Sequence, residues 1–166
     1  MTELSRPVAL DRIGGAGAEF VVEAQPGELA DLAKRMMIPA VNRLRCRFRL
    51  RREAGAVVEA DGRLEAEVVQ VCVLTLDEFP QEVSEDFGLQ FVPAGTESDE
   101  PDPDSPDEIP YEGGVIDLGE AAAEQLALAL DPYPKKPGAA EPDPGAEPGI
   151  EDAGPFAGLA GLRRKQ

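Results

Sequence analysis

The chain has 166 residues, with 16 Lys and Arg against 33 Asp and Glu, a formal net charge of −17, no His, no Trp and two Cys. That length suits one compact domain with ragged ends rather than two. Without His there is no Ser-His-Asp or Cys-His catalysis, no histidine general base and no His-ligated zinc, and Cys46 and Cys72 alone build neither a four-thiolate site nor a disulfide framework.

The first residues, Met-Thr-Glu-Leu-Ser-Arg, show neither a basic n-region nor an apolar h-region, and no 18-residue apolar run occurs. The expectation is a soluble, cytoplasmic protein with reduced thiols. Pro7–Ile13 and Ala18–Ala24 read as short strands separated by Gly14, Gly15 and Gly17. Pro26-Gly27 opens a helix with Glu28 and Asp31 early and Lys34 and Arg35 late, as the macrodipole prefers. Leu29, Leu32, Ala33 and Met36 form its apolar stripe, and Pro39 limits it.

From Arg43 to Arg51, arginine and apolar residues alternate strictly, which predicts a strand with Leu44, Cys46, Phe48 and Leu50 inward and Arg43, Arg45, Arg47, Arg49 and Arg51 outward. After a loop at 53–56, Val58, Ala60, Leu64, Ala66 and Val68 alternate with Glu59, Asp61, Arg63, Glu65 and Glu67. The phase survives Asp61-Gly62, so this is one long strand with a bend there. A third strand, Glu82–Val92, carries Val83, Phe87, Leu89 and Phe91 inward. Pro93–Pro110 is acidic and proline-rich with little to bury, and predicts a disordered loop over 93–112. Order returns at Val115–Asp117. Asp117 as N-cap and Glu120 three residues on give an acidic capping box, and Leu118, Ala122, Leu126 and Ala129 stripe a second helix that Asp131-Pro132 ends.

The fold class expected is α+β: a mainly antiparallel β-meander sheet with two packed helices, a disordered acidic loop and a C-terminal tail. Residues 1–137 form the domain, and 138–166, rich in Pro, Gly and acid with a basic tip, a disordered tail.

Charge is segregated. Residues 34–52 hold eight basic side chains and no acid, and residues 64–134 hold nineteen acids and no base. Five outward guanidiniums about 6.6 Å apart along a strand can each reach an RNA phosphate. The same arginines can instead face Glu59, Asp61 and Glu65 across a hairpin, if Leu50 pairs near Val58 or Ala60, as a ladder of weak ion pairs. Three acids do not neutralise eight bases, so a basic surplus is expected for RNA backbone. No aromatic residue interleaves on that face, so base stacking is not expected. No constellation supports catalysis, no metal or cofactor is expected, and Asp102 and Asp104 would hold Mg²⁺ only loosely.

The stretch Gly114-Val-Ile-Asp-Leu-Gly-Glu-Ala-Ala-Ala-Glu-Gln-Leu-Ala-Leu-Ala-Leu-Asp-Pro-Tyr-Pro resembles the signature of the YceD family, the large ribosomal RNA subunit accumulation proteins, and so does Cys72-Val-Leu-Thr-Leu76. The resemblance covers about residues 5–137. It marks Cys72, Asp117, Leu118, Gly119, Glu120 and Glu124 as motif residues with a structural role. It implies a part in accumulation or processing of large-subunit (23S) ribosomal RNA and in ribosome assembly. The partner is then that RNA or its precursor, contacted by the arginine strand, with the segment 93–112 competing for the arginines. The alternative is an acidic chaperone or adaptor that uses 93–112 to bind a basic ribosomal protein or an rRNA-processing factor. Many relatives carry a second cysteine near the one matching Cys72, and some a cysteine cluster after the helix that looks like a zinc site. Neither is present here, and both cysteines are expected to be buried as small hydrophobes.

Overall fold

Strict alternation of arginine and apolar residues sets an interior strand of the sheet. In the computed structural model, which describes residues 2–100 and 102–141, β3 (Ala40–Arg52) points Leu44, Cys46, Phe48 and Leu50 inward, none more than 2% exposed, and its arginines outward. A register shift between Val41 and Arg43 lets Val41 turn inward as well, although its position has the opposite parity. β4 (Val58–Val71) runs antiparallel to β3 with Leu50 opposite Ala60 and Leu44 opposite Ala66. β5 (Glu78–Pro93) lies antiparallel on the far side of β4, and β2 (Ala18–Glu23) antiparallel on the far side of β3.

β6 (Asp107–Tyr111) adds to β5 in parallel, giving the order β2-β3-β4-β5-β6. Helices α1 (Pro26–Arg35) and α2 (Leu118–Ala129) cover the inner face. Leu32 and Ala33 of α1 and Leu118, Ala121, Ala122, Ala123 and Leu126 of α2 join the sheet's inward residues in one core. A separate antiparallel pair, β1 (Pro7–Ala9) with β7 (Val115–Asp117), ties the N-terminal segment to the entry of α2. The architecture is α+β, mainly antiparallel with two helices.

Three local expectations change. Pro7–Ile13 is not one strand: after Ala9 the chain forms a 3₁₀ turn, Leu10–Arg12, anchored by the Leu10 amide on the Gly114 carbonyl at 2.9 Å. The third strand starts at Glu78, not Glu82. Pro80 is tolerated because β6 pairs only with Leu89–Pro93, so β5 is a sheet edge where proline's missing N–H removes no ladder bond. The acidic segment 93–112, expected as disordered throughout, ends in β6. Ile109 and Tyr111 pack against the core there, and the Tyr111 hydroxyl donates to the Ala56 carbonyl at 2.5 Å. The described residues of 94–106 form neither strand nor helix, in keeping with their lack of apolar side chains. Gly62 serves close approach: a Cβ there would lie 2.1 Å from Cζ of Phe87, whose ring stands edge-on to Phe48 at 5.7 Å.

The described residues up to Lys136 form one compact unit. Of the tail expected to be disordered over 138–166, residues 142–166 lie outside the described residues.

Candidate functional site

The period of two along β3 delivers all five arginines to one solvent face. Across β4, Arg43 faces Glu67, Arg45 faces Glu65, Arg49 faces Asp61 and Arg51 faces Glu59. On the other side β2, itself alternating, sets Glu19 beside Arg49 and Glu23 beside Arg45. Arg49 pairs with Glu19 at 2.8 Å, Arg45 with Glu23 at 3.2 Å, Arg51 with Glu59 at 3.0 Å and Asp61 at 3.8 Å, and Arg43 with Glu67 at 4.0 Å. Such exposed pairs are each worth under about 1 kcal/mol, but together they fix where the guanidiniums sit.

The basic surplus expected of this strand is absent from the face. Six arginines (five on β3 and Arg63) share it with six carboxylates of β2 and β4: Glu19, Glu23, Glu59, Asp61, Glu65 and Glu67. Glu19 and Glu23 went uncounted because sequence alone does not say which strand flanks β3 on its second side, although their spacing around Val21 carries the period. The arginines' intramolecular partners are thus neighbouring strands. Among the described residues no ion pair links them to 93–112.

Arg47 is different. Its neighbours in register are Val21 and Arg63, and among the described residues it has no ion pair. Arg63 is turned to β5, its Nη1 donating to both Asp86 oxygens at 3.0 Å. Arg45, Arg47, Arg63 and Glu65 line a depression of about 110 Å³.

The acidic segment makes the opposite kind of surface. Glu97, Asp99, Glu100, Asp102, Asp104, Asp107, Glu108 and Glu112 stand exposed or half-exposed, and none is ion-paired among the described residues. Glu97, Glu100, Asp102, Asp107 and Glu108, with Ser98, Ser105 and Pro106, line a cleft of about 270 Å³ at the β6 edge. The Ser98 amide and hydroxyl donate to Glu108 at 2.8 and 2.7 Å and hold its carboxyl below the usual range.

The motif residues at the start of α2 build a latch. Asp117 caps the helix by accepting from the Gly119 and Glu120 amides at 2.9 and 3.2 Å, and also accepts from the Arg6 amide at 2.7 Å and the Ser5 hydroxyl at 2.6 Å. Burial pushes its carboxyl up, but the hydrogen bonds from Ser5, Arg6, Glu120 and Gly119 outweigh it and leave the pKa lowered. Gly119 lets the N-terminal backbone lie against the helix, since a Cβ there would come within 2.7 Å of the Leu4 carbonyl oxygen. Leu118 is buried. The expected reciprocal box is half-formed: Glu120 turns away from the cap to grip Arg35 of α1 at 2.7 and 3.1 Å, where Glu3 also binds. Glu124, one turn on, is held above the usual carboxylate range by burial and then by Glu120. Arg6 completes the assembly with a two-pronged pair to Glu28 at 2.8 and 2.9 Å.

The family model of the large ribosomal RNA subunit accumulation protein YceD matches residues 60–163, more than half of the chain. The chain belongs to this family. No curated protein and no solved structure matches it. The family match begins at Ala60, inside β4. It takes in Cys72, the acidic edge and the Asp117 latch, and leaves β1 to β3, with the arginine strand, outside.

The zinc site suggested for some family members does not fit the residues present. Among the described residues no three His, Cys, Asp or Glu side chains are grouped to hold a metal. Cys72 follows β4 in the hairpin loop, and its environment departs from the apolar one expected. It is shielded from solvent but stands outside the apolar core that encloses Cys46. The Thr75 hydroxyl, then the Lys136 amide, and more weakly the Thr75 and Leu74 amides, hydrogen-bond its sulfur and lower the pKa to about 7 against the opposing effect of burial. Burial alone pushes Cys46 up to about 12. The Val73 amide on the Pro134 carbonyl at 2.9 Å and Lys136 on Asp77 at 2.6 Å fasten the segment after α2 to this loop. No helix among the described residues is long and apolar enough to cross a membrane.

Proposed function

We propose that the protein supports accumulation of the large ribosomal RNA subunit in the cytoplasm as a non-enzymatic factor, by presenting its acidic edge to a basic protein, a ribosomal protein or an rRNA-processing factor. The observation that carries this reading is the contrast between the two charged surfaces. The arginine face is balanced in number by the carboxylates of β2 and β4, with Arg47 alone left without an ion pair, whereas none of the eight acids from Glu97 to Glu112 has one among the described residues. Uncompensated like charges lining a concave edge raise a negative potential that steers cations and repels phosphate polymers. Lysine and arginine side chains fit the β6 cleft by charge.

A second reading, RNA-backbone contact by Arg43, Arg45, Arg47, Arg49 and Arg51, is favoured by one observation, the missing carboxylate at Arg47. Crosslinking in cells separates the two. With Glu97→Gln, Glu100→Gln, Asp102→Asn and Asp107→Asn combined, capture of a basic large-subunit protein is lost, and it survives Arg45→Gln, Arg47→Gln and Arg49→Gln. Crosslinks that map to large-subunit precursor RNA, and that depend on the arginines while ignoring the acids, reverse the order of the readings.

A further inference from the structure

We propose that Arg47 and Arg45, backed by Arg63, form a binding site for one phosphate group at the centre of the solvent face. The site follows from how the sheet's carboxylates are committed. Every acid diagonal to Arg47 is held by another arginine: Glu19 by Arg49, Glu23 by Arg45, Asp61 by Arg51 and Glu65 by Arg63 at 3.8 Å. Directly across, Arg47 meets a second guanidinium instead of an acid. Like charges directly opposed across strands are unfavourable, and an anion between them removes the repulsion.

The donors match that anion. Arg47 has no hydrogen-bond partner among the described residues, so its whole fork is open. Arg45 meets Glu23 through Nε, which leaves its Nη groups to the depression. Arg63 supplies charge more than donors, since Asp86 and Ser84 take its Nη groups. Planar guanidinium forks bind phosphate oxygens in pairs. The depression of about 110 Å³ has room for one tetrahedral oxyanion. Glu65 is the one carboxylate that lines the depression, Glu23 and Asp86 hold Arg45 and Arg63 from outside it, and Arg47 is the guanidinium whose charge is left for an anion.

This deepens the RNA-contact reading and rests on it only for the source of the phosphate, which is either a free ion or a ribose-phosphate backbone. In place of five phosphate contacts in a row, the structure assigns one.

The test follows arginine Nε–H signals by NMR in the full-length protein, titrated in parallel with inorganic phosphate and with a single-stranded uridine oligonucleotide. Saturable shifts at Arg45, Arg47 and Arg63, absent at Arg43 and Arg51 and weakened about tenfold or more by Arg47→Gln, support the site. Arg51→Gln, on the same strand, leaves them unchanged. If the oligonucleotide produces the same shifts, the source is backbone, and Arg47→Gln lowers the salt slope of its binding by about 0.7, the value of one single-strand phosphate. Shifts with phosphate alone keep the site, assign it to a free anion and end the RNA-contact reading. Shifts spread evenly over all six arginines, or none, overturn the site. Oligonucleotide binding that Arg47→Gln leaves intact overturns it too, while the RNA-contact reading stands.

Discussion

Replacing Asp117 tests whether the family motif is a latch. Asp117→Ala removes the N-cap of α2, a loss of about 1 kcal/mol. It also leaves the half-buried Arg6 amide without its acceptor at 2.7 Å, a further cost of about 1–3 kcal/mol. The exposed Ser5 hydroxyl turns to water and adds little. The sum, about 2–4 kcal/mol, is a large share of the about 5–15 kcal/mol of a typical domain. Asp117→Asn keeps an acceptor oxygen and caps nearly as well, so it costs less, and the part it loses is electrostatic. The lowered carboxyl pKa gives the sign: the contribution is complete above the unfolded value near 3.8 and disappears as pH falls through the folded one. The gap between the parent and Asp117→Asn therefore stays constant near neutrality and begins to narrow below about pH 4. Urea unfolding, with midpoints and slopes extrapolated to water, measures it. An Asp117→Ala protein within about 0.5 kcal/mol of the parent, or an Asn gap that does not begin to narrow below about pH 4, refutes the latch, since an ordinary surface position gives the first result.

Two further outcomes follow from the core and the thiols. Gly62→Ala forces the Phe87 ring off its place, because the new methyl lies 2.1 Å from Cζ; it destabilises by about 1–3 kcal/mol, and Phe87→Leu in the same chain recovers part of the loss. Equal melting temperatures for Gly62→Ala and the parent contradict that packing. Thiolate absorbance followed against pH shows one cysteine ionising near 7 and the other only near 12; Cys72→Ala abolishes the first step and Cys46→Ala leaves it, and two steps near 9 disprove the hydrogen-bonded environment of Cys72.

Patterns with a short period were legible in the sequence. The alternation from Leu44 to Leu50 and from Val58 to Val68 specified both strands and their faces, and of the two partners it left open for Leu50, Val58 and Ala60, the register takes Ala60. The cap at Asp117 was legible for the same reason, since it acts within three residues. What escaped depends on distant chain. Nothing near Arg45 or Arg49 reveals that β2, 22 to 30 residues earlier, supplies Glu23 and Glu19. Glu120 reads locally as the second half of a capping box, yet Arg35, 85 residues away, takes its carboxylate. Ile109 and Tyr111 were hidden in a segment whose composition is set by acids and prolines, and two apolar residues suffice for a five-residue parallel strand once an edge of β5 is there to receive them. Cys72 read as core because its parity continues that of Val68 and Gln70, but β4 ends at Val71 and the loop donates hydrogen bonds instead.

The two charged surfaces can act without cancelling each other, and the sheet's dimensions say why. Arg47 and Glu108 are three strands apart, about 14 Å at a spacing of about 4.8 Å, because β3 and β6 are separated by β4 and β5. Along the strands, Glu108 stands level with Gln90, Glu59 and Arg51, which is four residues or about 13 Å from the row of Arg47. The resulting separation, about 19 Å, exceeds twice the screening length of about 8 Å at physiological ionic strength. Glu108 on β6 is therefore too far away to neutralise Arg47, and the carboxylates that do neutralise its neighbours are fixed by strand register. The family match points the same way. Its residues 60–163 contain the whole unpaired acidic edge and the Asp117 latch, but of the six face arginines only Arg63. A surface built on the matched stretch alone is strongly acidic, which favours the proposed basic-protein partner over RNA for that stretch, and leaves the proposed Arg47 phosphate site to β3 alone.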